Sequence, residues 1–235
     1  MPVPATEQAP RILQLWQGSW IAAMVVGVIV WGLIVWSVVF HRRSRHGQQI
    51  PQQTRYNVPI EVLYTVVPFL IVAVLFYFTA RDEAYILKLS DKPDQTVRVE
   101  ARQWSWAFGY TKDSVYDVGT QSKPPVLYLE KGKKVQFELV SPDVIHSFWV
   151  PAFLMKMDVV PGRTNRIELT PTKEGTFAGK CAELCGVDHS RMLFDVKVVG
   201  SAEYRAHLAE LKAKGQTGQL LKGIQPYQSQ GSVER

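Results

Sequence analysis

Two thiols, an imidazole and a thioether fall within twelve residues of this chain, Cys181-Ala-Glu-Leu-Cys185-Gly-Val-Asp-His189-Ser-Arg-Met192. These are the only two cysteines among 235 residues. A second imidazole, His146, stands upstream in Asp143-Val-Ile-His146-Ser-Phe-Trp149. Thiolate and thioether are soft ligands and imidazole is borderline, a mixture that suits copper better than any hard cation. Two blander readings use some of the same residues. Two cysteines facing an oxidising compartment ordinarily form a disulfide, but a C-x3-C bridge closes a very short loop and leaves His189 and Met192 without a part. Zinc accepts two Cys and two His, yet it has no use for Met192, and the spacing lacks the paired short intervals of a zinc finger. The soft-metal reading employs every one of these side chains.

The elements that must hold them are of two kinds. Hydrophobic residues make up 46% of the chain, and the uninterrupted apolar sequence lies almost wholly before Arg81. From Trp20 to Phe40, and again from Val62 to Ala80, no residue is charged. At about 1.5 Å of rise per residue, each run is long enough for a helix crossing the ~30 Å hydrocarbon layer. The first run is too long for the apolar region of a signal peptide, and no small-residue cleavage site precedes the basic cluster that follows it. Trp16, Trp20 and Trp36 stand near its ends, where indoles settle at a membrane interface. Pro68 inside the second run is expected to kink it.

Orientation follows from the arginines. The connecting segment carries His41-Arg-Arg-Ser-Arg45-His and then Arg55, whereas only Arg11 precedes Trp16. Arginine-rich short loops stay cytoplasmic, so the N-terminus and everything after Arg81 are expected outside. Part of the net charge of +6 is therefore topogenic, and no concentrated basic face points to nucleic acid. The expected organisation is an extracytoplasmic segment at 1–17 and a two-helix hairpin at 18–80 with a basic cytoplasmic loop at 41–58. A β-domain at 81–200 follows, then a short amphipathic helix and polar tail at 201–235.

After Arg81 the pattern changes to short strands. Val97-Arg-Val-Glu-Ala-Arg102 alternates as a half-buried strand does. Val126–Glu130 and Val135–Val140 flank Lys131-Gly-Lys-Lys134, which reads as a hairpin turn. Further strands are expected at Ser147–Val150, Asn165–Thr170, Thr176–Ala178 and Met192–Val199, a spacing typical of a sandwich or barrel. Ser201–Lys214 places Tyr204, Leu208 and Leu211 at helical intervals before Gly215. From Gln216 onward the polar tail is expected to be flexible or held only by a partner.

One His followed by C-x3-C-x3-H-x2-M resembles the binuclear copper A centre of cytochrome c oxidase subunit II. The resemblance extends from the first membrane helix to about Val199. It includes, in order, the helical hairpin, Gln103-Trp-Ser-Trp-Ala-Phe-Gly-Tyr110, Asp143-Val-Ile-His146-Ser, Lys156-Met-Asp158-Val-Val-Pro-Gly-Arg163 and the cysteine loop. It implies an all-β cupredoxin-like Greek-key domain behind two transmembrane helices. It also implies two coppers bridged by Cys181 and Cys185, capped by His146 and His189, and completed by the Met192 thioether and the Glu183 carbonyl.

Further roles follow from the same resemblance. Trp104 is similar to the surface tryptophan through which cytochrome c passes its electron, with Trp106 as the packing residue on the same strand face. The Glu183 carboxylate would bind magnesium shared with subunit I. Asp158 and Arg163 look like polar groups near subunit I without chemistry of their own. Glu61 would open a proton path into subunit I; an ionisable residue entering a membrane segment invites that reading, although a helix-capping carboxylate is the plain alternative. The implied function is electron transfer from cytochrome c to haem a of subunit I in a proton-pumping oxidase. A bacterial plasma membrane is favoured over a mitochondrial inner membrane by the arginine-rich loop and long tail.

Acidic docking residues are sparse. Pro142 stands beside Asp143 and Lys112 follows the aromatic box, leaving Asp113 and Asp117. A membrane-held or fused c-type cytochrome is therefore expected as donor alongside soluble cytochrome c. No C-x-x-C-H is present, so no haem c of the chain's own is expected. A quinol-oxidase relative would lack the metal ligands, a nitrous oxide reductase would need many more than five histidines, and a copper carrier would have neither the aromatic box nor Glu61.

Overall fold

The computed structural model describes residues 1–42 and 53–220. Most of the basic loop expected at 41–58, and the tail beyond Leu220, lie outside the described residues. The chain divides into two units, one of Arg11–Ala84 and one of Met1–Pro10 with the sequence from Tyr85 onward.

The first unit holds α1 (Ala9–Phe40) and α2 (Val58–Ile86), of 32 and 29 residues. α2 starts with reciprocal capping: Ile60 N donates to Asn57 Oδ1 at 3.4 Å and Asn57 N donates to Glu61 Oε1 at 3.0 Å. Two otherwise orphaned amide donors are thereby satisfied. Pro68 lies within α2, which continues past it to Ile86. Large apolar side chains from Ile21 to Phe76 are exposed along both helices, a surface that suits lipid rather than water. The one buried carboxylate of α2, Asp82, accepts from Arg11 at 3.4 Å and from Arg81 at 2.9 and 3.1 Å. A desolvated charge is tolerable only when it is paired in this way.

The second unit is a β-sandwich of two five-stranded sheets. Its strands are β1 (Gln95–Arg102), β2 (Ser105–Tyr110), β3 (Val115–Val118), β4 (Val126–Glu130), β5 (Val135–Val140), β6 (His146–Val150), β7 (Met155–Val159), β8 (Asn165–Leu169), β9 (Gly175–Cys181) and β10 (Leu193–Val199). One sheet runs β3-β2-β1-β5-β8 and the other β4-β10-β9-β6-β7. The pairs β1/β5 and β4/β10 are parallel and the remaining neighbours antiparallel. Trp106, Phe108, Phe137, Phe148 and Phe194 fill the space between the sheets. Gly179 of β9 leaves room for the Phe194 ring, since a Cβ there would lie 2.2 Å from it.

Two expectations about this unit are corrected. β4 and β5 occupy the expected residues but are not a hairpin, because they belong to different sheets. Lys131 N donates to Val199 O at 2.9 Å and Gly132 N to Pro171 O at 2.8 Å, so the glycine turn is an arch from one sheet to the other. Gly132 sits at φ 75°, which serves an arch as readily as a hairpin. The described part of the tail is also held: Tyr116 N donates to Gln216 O at 3.1 Å and Gly218 N to Ser114 O at 2.7 Å along β3.

α3 (Ser201–Ala213) buries Tyr204, Leu208 and Leu211, as their spacing predicts. The N-terminal segment packs onto the sandwich. Ala5 is fully buried, its N–H donating to Ala152 O at 3.0 Å and its carbonyl accepting from Thr172 N at 2.8 Å.

Candidate metal centre

Three neighbouring strands bring the donor side chains to one end of a sheet. His146 opens β6, Cys181 closes β9, and Met192 stands one residue ahead of β10. Phe148 pairs with Cys181 across β6 and β9, and Leu193 with Lys180 across β9 and β10. Cys181 N donates to Met192 O at 3.0 Å and Ala182 N to Ser147 O at 3.0 Å, which fixes the three ends in register. The intervening loop returns Cys185 and, through a 3-10 turn at His189–Arg191, His189.

The donor atoms converge on the two thiols, both of which are free. Cys181 Sγ lies 3.9 Å from Cys185 Sγ, 3.9 Å from His146 Nδ1 and 3.2 Å from the Glu183 carbonyl. Cys185 Sγ lies 3.6 Å from His189 Nδ1 and 3.9 Å from Met192 Sδ. His146 is fully buried, and Cys181, Cys185 and Met192 are buried with it. Glu183 is divided, with its carbonyl turned to Cys181 and its residue otherwise exposed.

The thiols are electrostatically unequal. Burial opposes ionisation of Cys181, but hydrogen bonding to His146 and to the backbone at Glu183 and Ser147 outweighs it and brings the thiol down to about 6. Burial together with the neighbouring Cys181 charge pushes Cys185 up to about 12. Two sulfurs so close do not both ionise readily without a cation between them. Burial alone would lower His146, yet its bonds to Cys181 and Asp143 raise it.

This donor set fits copper. Two buried thiolate sulfurs, two imidazoles and a thioether are predominantly soft, and Met192 has no place in a tetrahedral zinc site. Each donor outside the thiol pair lies within 3.9 Å of one thiol, so the pair stands at the middle of the set.

Trp104 lies beside this cluster, in the β1–β2 turn rather than on a strand. Its expected sharing of a strand face with Trp106 is therefore corrected. The Trp104 indole N–H donates to Cys185 O at 3.1 Å, and Gln103 Nε2 donates to the same carbonyl at 2.8 Å. Gly186, at φ 121°, permits this approach: a Cβ there would sit 3.0 Å from the indole. Trp106 in β2 is 1% exposed, packs edge-on to Phe194 at 5.1 Å, and donates to Met192 O at 3.3 Å. It is the core residue of the two.

The remaining candidates make other contacts. Glu61 is in the helical unit as the α2 cap. Asp158 pairs with Lys156 at 3.5 Å, and Arg163 is exposed in the turn closed by its N–H to Val160 O at 3.2 Å. Asp117 accepts from Val126 N at 3.2 Å and so anchors β4. The sequence reading gave no role to Gln103 or Asp143, although both adjoin residues it singled out. Nothing in their type or spacing announces a contact with a loop some eighty or forty residues away.

Two long apolar helices ahead of a cupredoxin-like sandwich, with soft donors gathered at one end of a sheet, describe a membrane-anchored protein with a candidate soft-metal site. The family model for the cytochrome c oxidase subunit II periplasmic domain matches residues 95–199. The probable cytochrome c oxidase subunit 2 of Streptomyces avermitilis is 55% identical over 262 residues, covering 95% of this chain and 82% of that protein. The cytochrome c oxidase subunit 2 of Mycobacterium tuberculosis is 36% identical over 267 residues, covering 89% and 74%. The crystal structure of the periplasmic domain of cytochrome oxidase subunit II from Bradyrhizobium japonicum is 30% identical, covers 54% of this chain and 99% of that one, and has a TM-score of 0.49. The chain belongs to the cytochrome c oxidase subunit II family.

Proposed function

We propose that this chain is the electron-accepting subunit of a proton-pumping oxidase. In this reading His146, Cys181, the Glu183 carbonyl, Cys185, His189 and Met192 hold a binuclear copper A centre. Bound there, the copper pair supplies one-electron chemistry with little rearrangement of its ligands. The observation that carries the reading is the convergence of both free thiols, both imidazoles, the thioether and the carbonyl at one sheet end, with the Trp104 indole hydrogen-bonded to the Cys185 carbonyl.

The residues have separable tasks. Cys181 and Cys185 would supply the thiolate sulfurs that hold the copper pair, and burial excludes water from them. Trp104 receives electrons from a c-type cytochrome and adjoins the ligand loop through a single hydrogen bond. The exposed Glu183 carboxylate would bind magnesium shared with subunit I, the partner that would receive the electrons at haem a. Because Asp117 is occupied in holding β4, the donor reaction should have a shallow salt dependence. Stopped-flow reduction of the assembled oxidase by cytochrome c at several ionic strengths tests the donor side of this reading.

Met192 tunes the centre rather than assembling it. Met192→Leu is expected to retain both coppers and raise the potential, since an apolar side chain replaces a sulfur donor. A one-electron potential moves ~59 mV for each tenfold change in the redox equilibrium, so redox titration resolves even a modest shift.

The fold and the arginines support a membrane placement. The N-terminal segment packs on the same sandwich that follows α2, which supports an even number of membrane crossings between them. Arg42 and the basic residues after it favour a cytoplasmic connection, with the metal domain outside a bacterial plasma membrane.

At the other end of α2, Glu61 is proposed to open a proton path into subunit I. Glu61→Gln retains an acceptor for Asn57 N and removes only the titratable proton. It is expected to slow oxygen reduction on the order of tenfold, about 1.4 kcal/mol on the barrier, while electron uptake stays normal. Unchanged turnover in the glutamine variant, with stability lost only in Glu61→Ala, would leave the residue as a helix cap.

A further inference from the structure

Asp143 connects two parts of the molecule that the proposed function treats separately. Its Oδ1 faces His146 Nε2 at 2.9 Å and accepts from Val144 N at 2.6 Å and Ser141 Oγ at 3.0 Å. Its Oδ2 accepts from Gln103 N at 2.7 Å. His146 turns its other nitrogen, Nδ1, to Cys181 Sγ at 3.9 Å. Gln103 carries the next peptide link to Trp104, and its side-chain amide reaches Cys185 O at 2.8 Å. One carboxylate thus grips the β5–β6 loop with one oxygen and the Trp104 turn with the other.

We infer that Asp143 is a positioning residue that joins the His146 ligand to the Trp104 turn, with Gln103 as the second fastening of that turn. This rests on the copper and Trp104 roles proposed above. A ligating histidine is held in orientation and tautomer by the partner of its distant nitrogen. The Oδ1 contact fixes Nε2 as the N–H, which leaves Nδ1 presenting its lone pair on the thiol side. The Oδ2 contact and the Gln103 amide then seat the indole on Cys185 O without requiring the indole's own bond to do all the holding. Gln103 is exposed as a residue, so its two bonds reflect placement at this junction rather than burial.

The chemistry of an amide separates the two functions. An aspartate offers two acceptor oxygens and an asparagine only one. Asp143→Asn, with its oxygen kept on His146 and Val144, would turn its NH2 group against the Gln103 N–H. It should retain the histidine anchor and release the turn. Asp143→Ala should lose both.

The test uses the full-length chain in detergent, and the assembled oxidase for kinetics. Copper affinity is measured by competition with a chelator, histidine nitrogen couplings by electron–nuclear double resonance, and electron uptake by stopped flow. Asp143→Ala is expected to weaken copper binding about 10–100-fold, the usual cost of losing a metal-ligand anchor, and to alter one set of nitrogen couplings. Asp143→Asn is expected to restore affinity and couplings while electron uptake stays slow. Gln103→Leu should slow uptake with unchanged couplings. If Asp143→Ala binds copper as the parent does with the parent couplings, the anchor is refuted. Should Asp143→Asn and Gln103→Leu both take up electrons at the parental rate, the turn fastening is refuted. An absence of copper A signals in the parent itself would overturn the underlying metal reading instead, and so remains distinguishable.

Discussion

Cys185→Ser is expected to abolish the shared-electron copper signal and to leave at most one weakly held copper in the chain. Cys181 Sγ has the His146 imidazole and the Glu183 carbonyl among its nearest donors, while Cys185 Sγ has His189 and Met192. Only the two sulfurs, 3.9 Å apart, lie between the halves. A serine oxygen is a hard, weakly acidic donor with little affinity for soft copper. Cys181→Ser should have the same outcome, since it removes the other bridge. The fold should persist in both, because serine is close to cysteine in size and most of the core cluster to which the two cysteines belong is aromatic or aliphatic. Metal analysis, electron paramagnetic resonance and thermal unfolding of each variant provide the check. Two coppers with an unaltered spectrum in either serine variant would refute the bridging role.

Trp104→Gln is expected to cut electron uptake from a reduced c-type cytochrome by at least about thirtyfold. Losing a central tryptophan at a docking surface costs roughly 2 kcal/mol or more, and each 1.4 kcal/mol is a factor of ten. The break in the route through the indole to Cys185 O adds to that figure. Gln103 continues to donate to this carbonyl, so the metal spectrum should stay as in the parent. Trp106→Phe is expected to behave in the opposite way. Its indole is buried against Phe148 and Phe194 and bonded to Met192 O, so its loss should cost about 1–3 kcal/mol of stability with uptake little changed. Parental uptake in Trp104→Gln would move the point of electron arrival elsewhere on the metal rim.

The candidate donor set was legible in the sequence because its signal is chemical and local: four of its side chains fall in one short loop, and soft donors of that mixture are rare. Both membrane helices were legible because a charge-free run of that length has few alternatives. Strand partners were not. The alternation in Val126–Glu130 and Val135–Val140 fixes which face of each strand is buried, but not that an arch sends them to different sheets. β2 showed no alternation because every residue from Trp106 to Tyr110 is buried, and Leu220 of the returning tail covers Gly109. The edge strands β3 and β7 are short and half-buried, with little periodicity to read. Asp143 and Gln103 were unreadable for a different reason: their partners are set by tertiary approach of the β1–β2 turn to the ligand loop, which local sequence does not encode.

The copper-to-chain ratio of the purified full-length protein, measured together with its electron paramagnetic resonance spectrum, tests the central claim most directly. Two coppers per chain with one unpaired electron coupled equally to both nuclei is the expected result. One copper per chain with its electron confined to a single nucleus, or zinc in its place, would contradict the account.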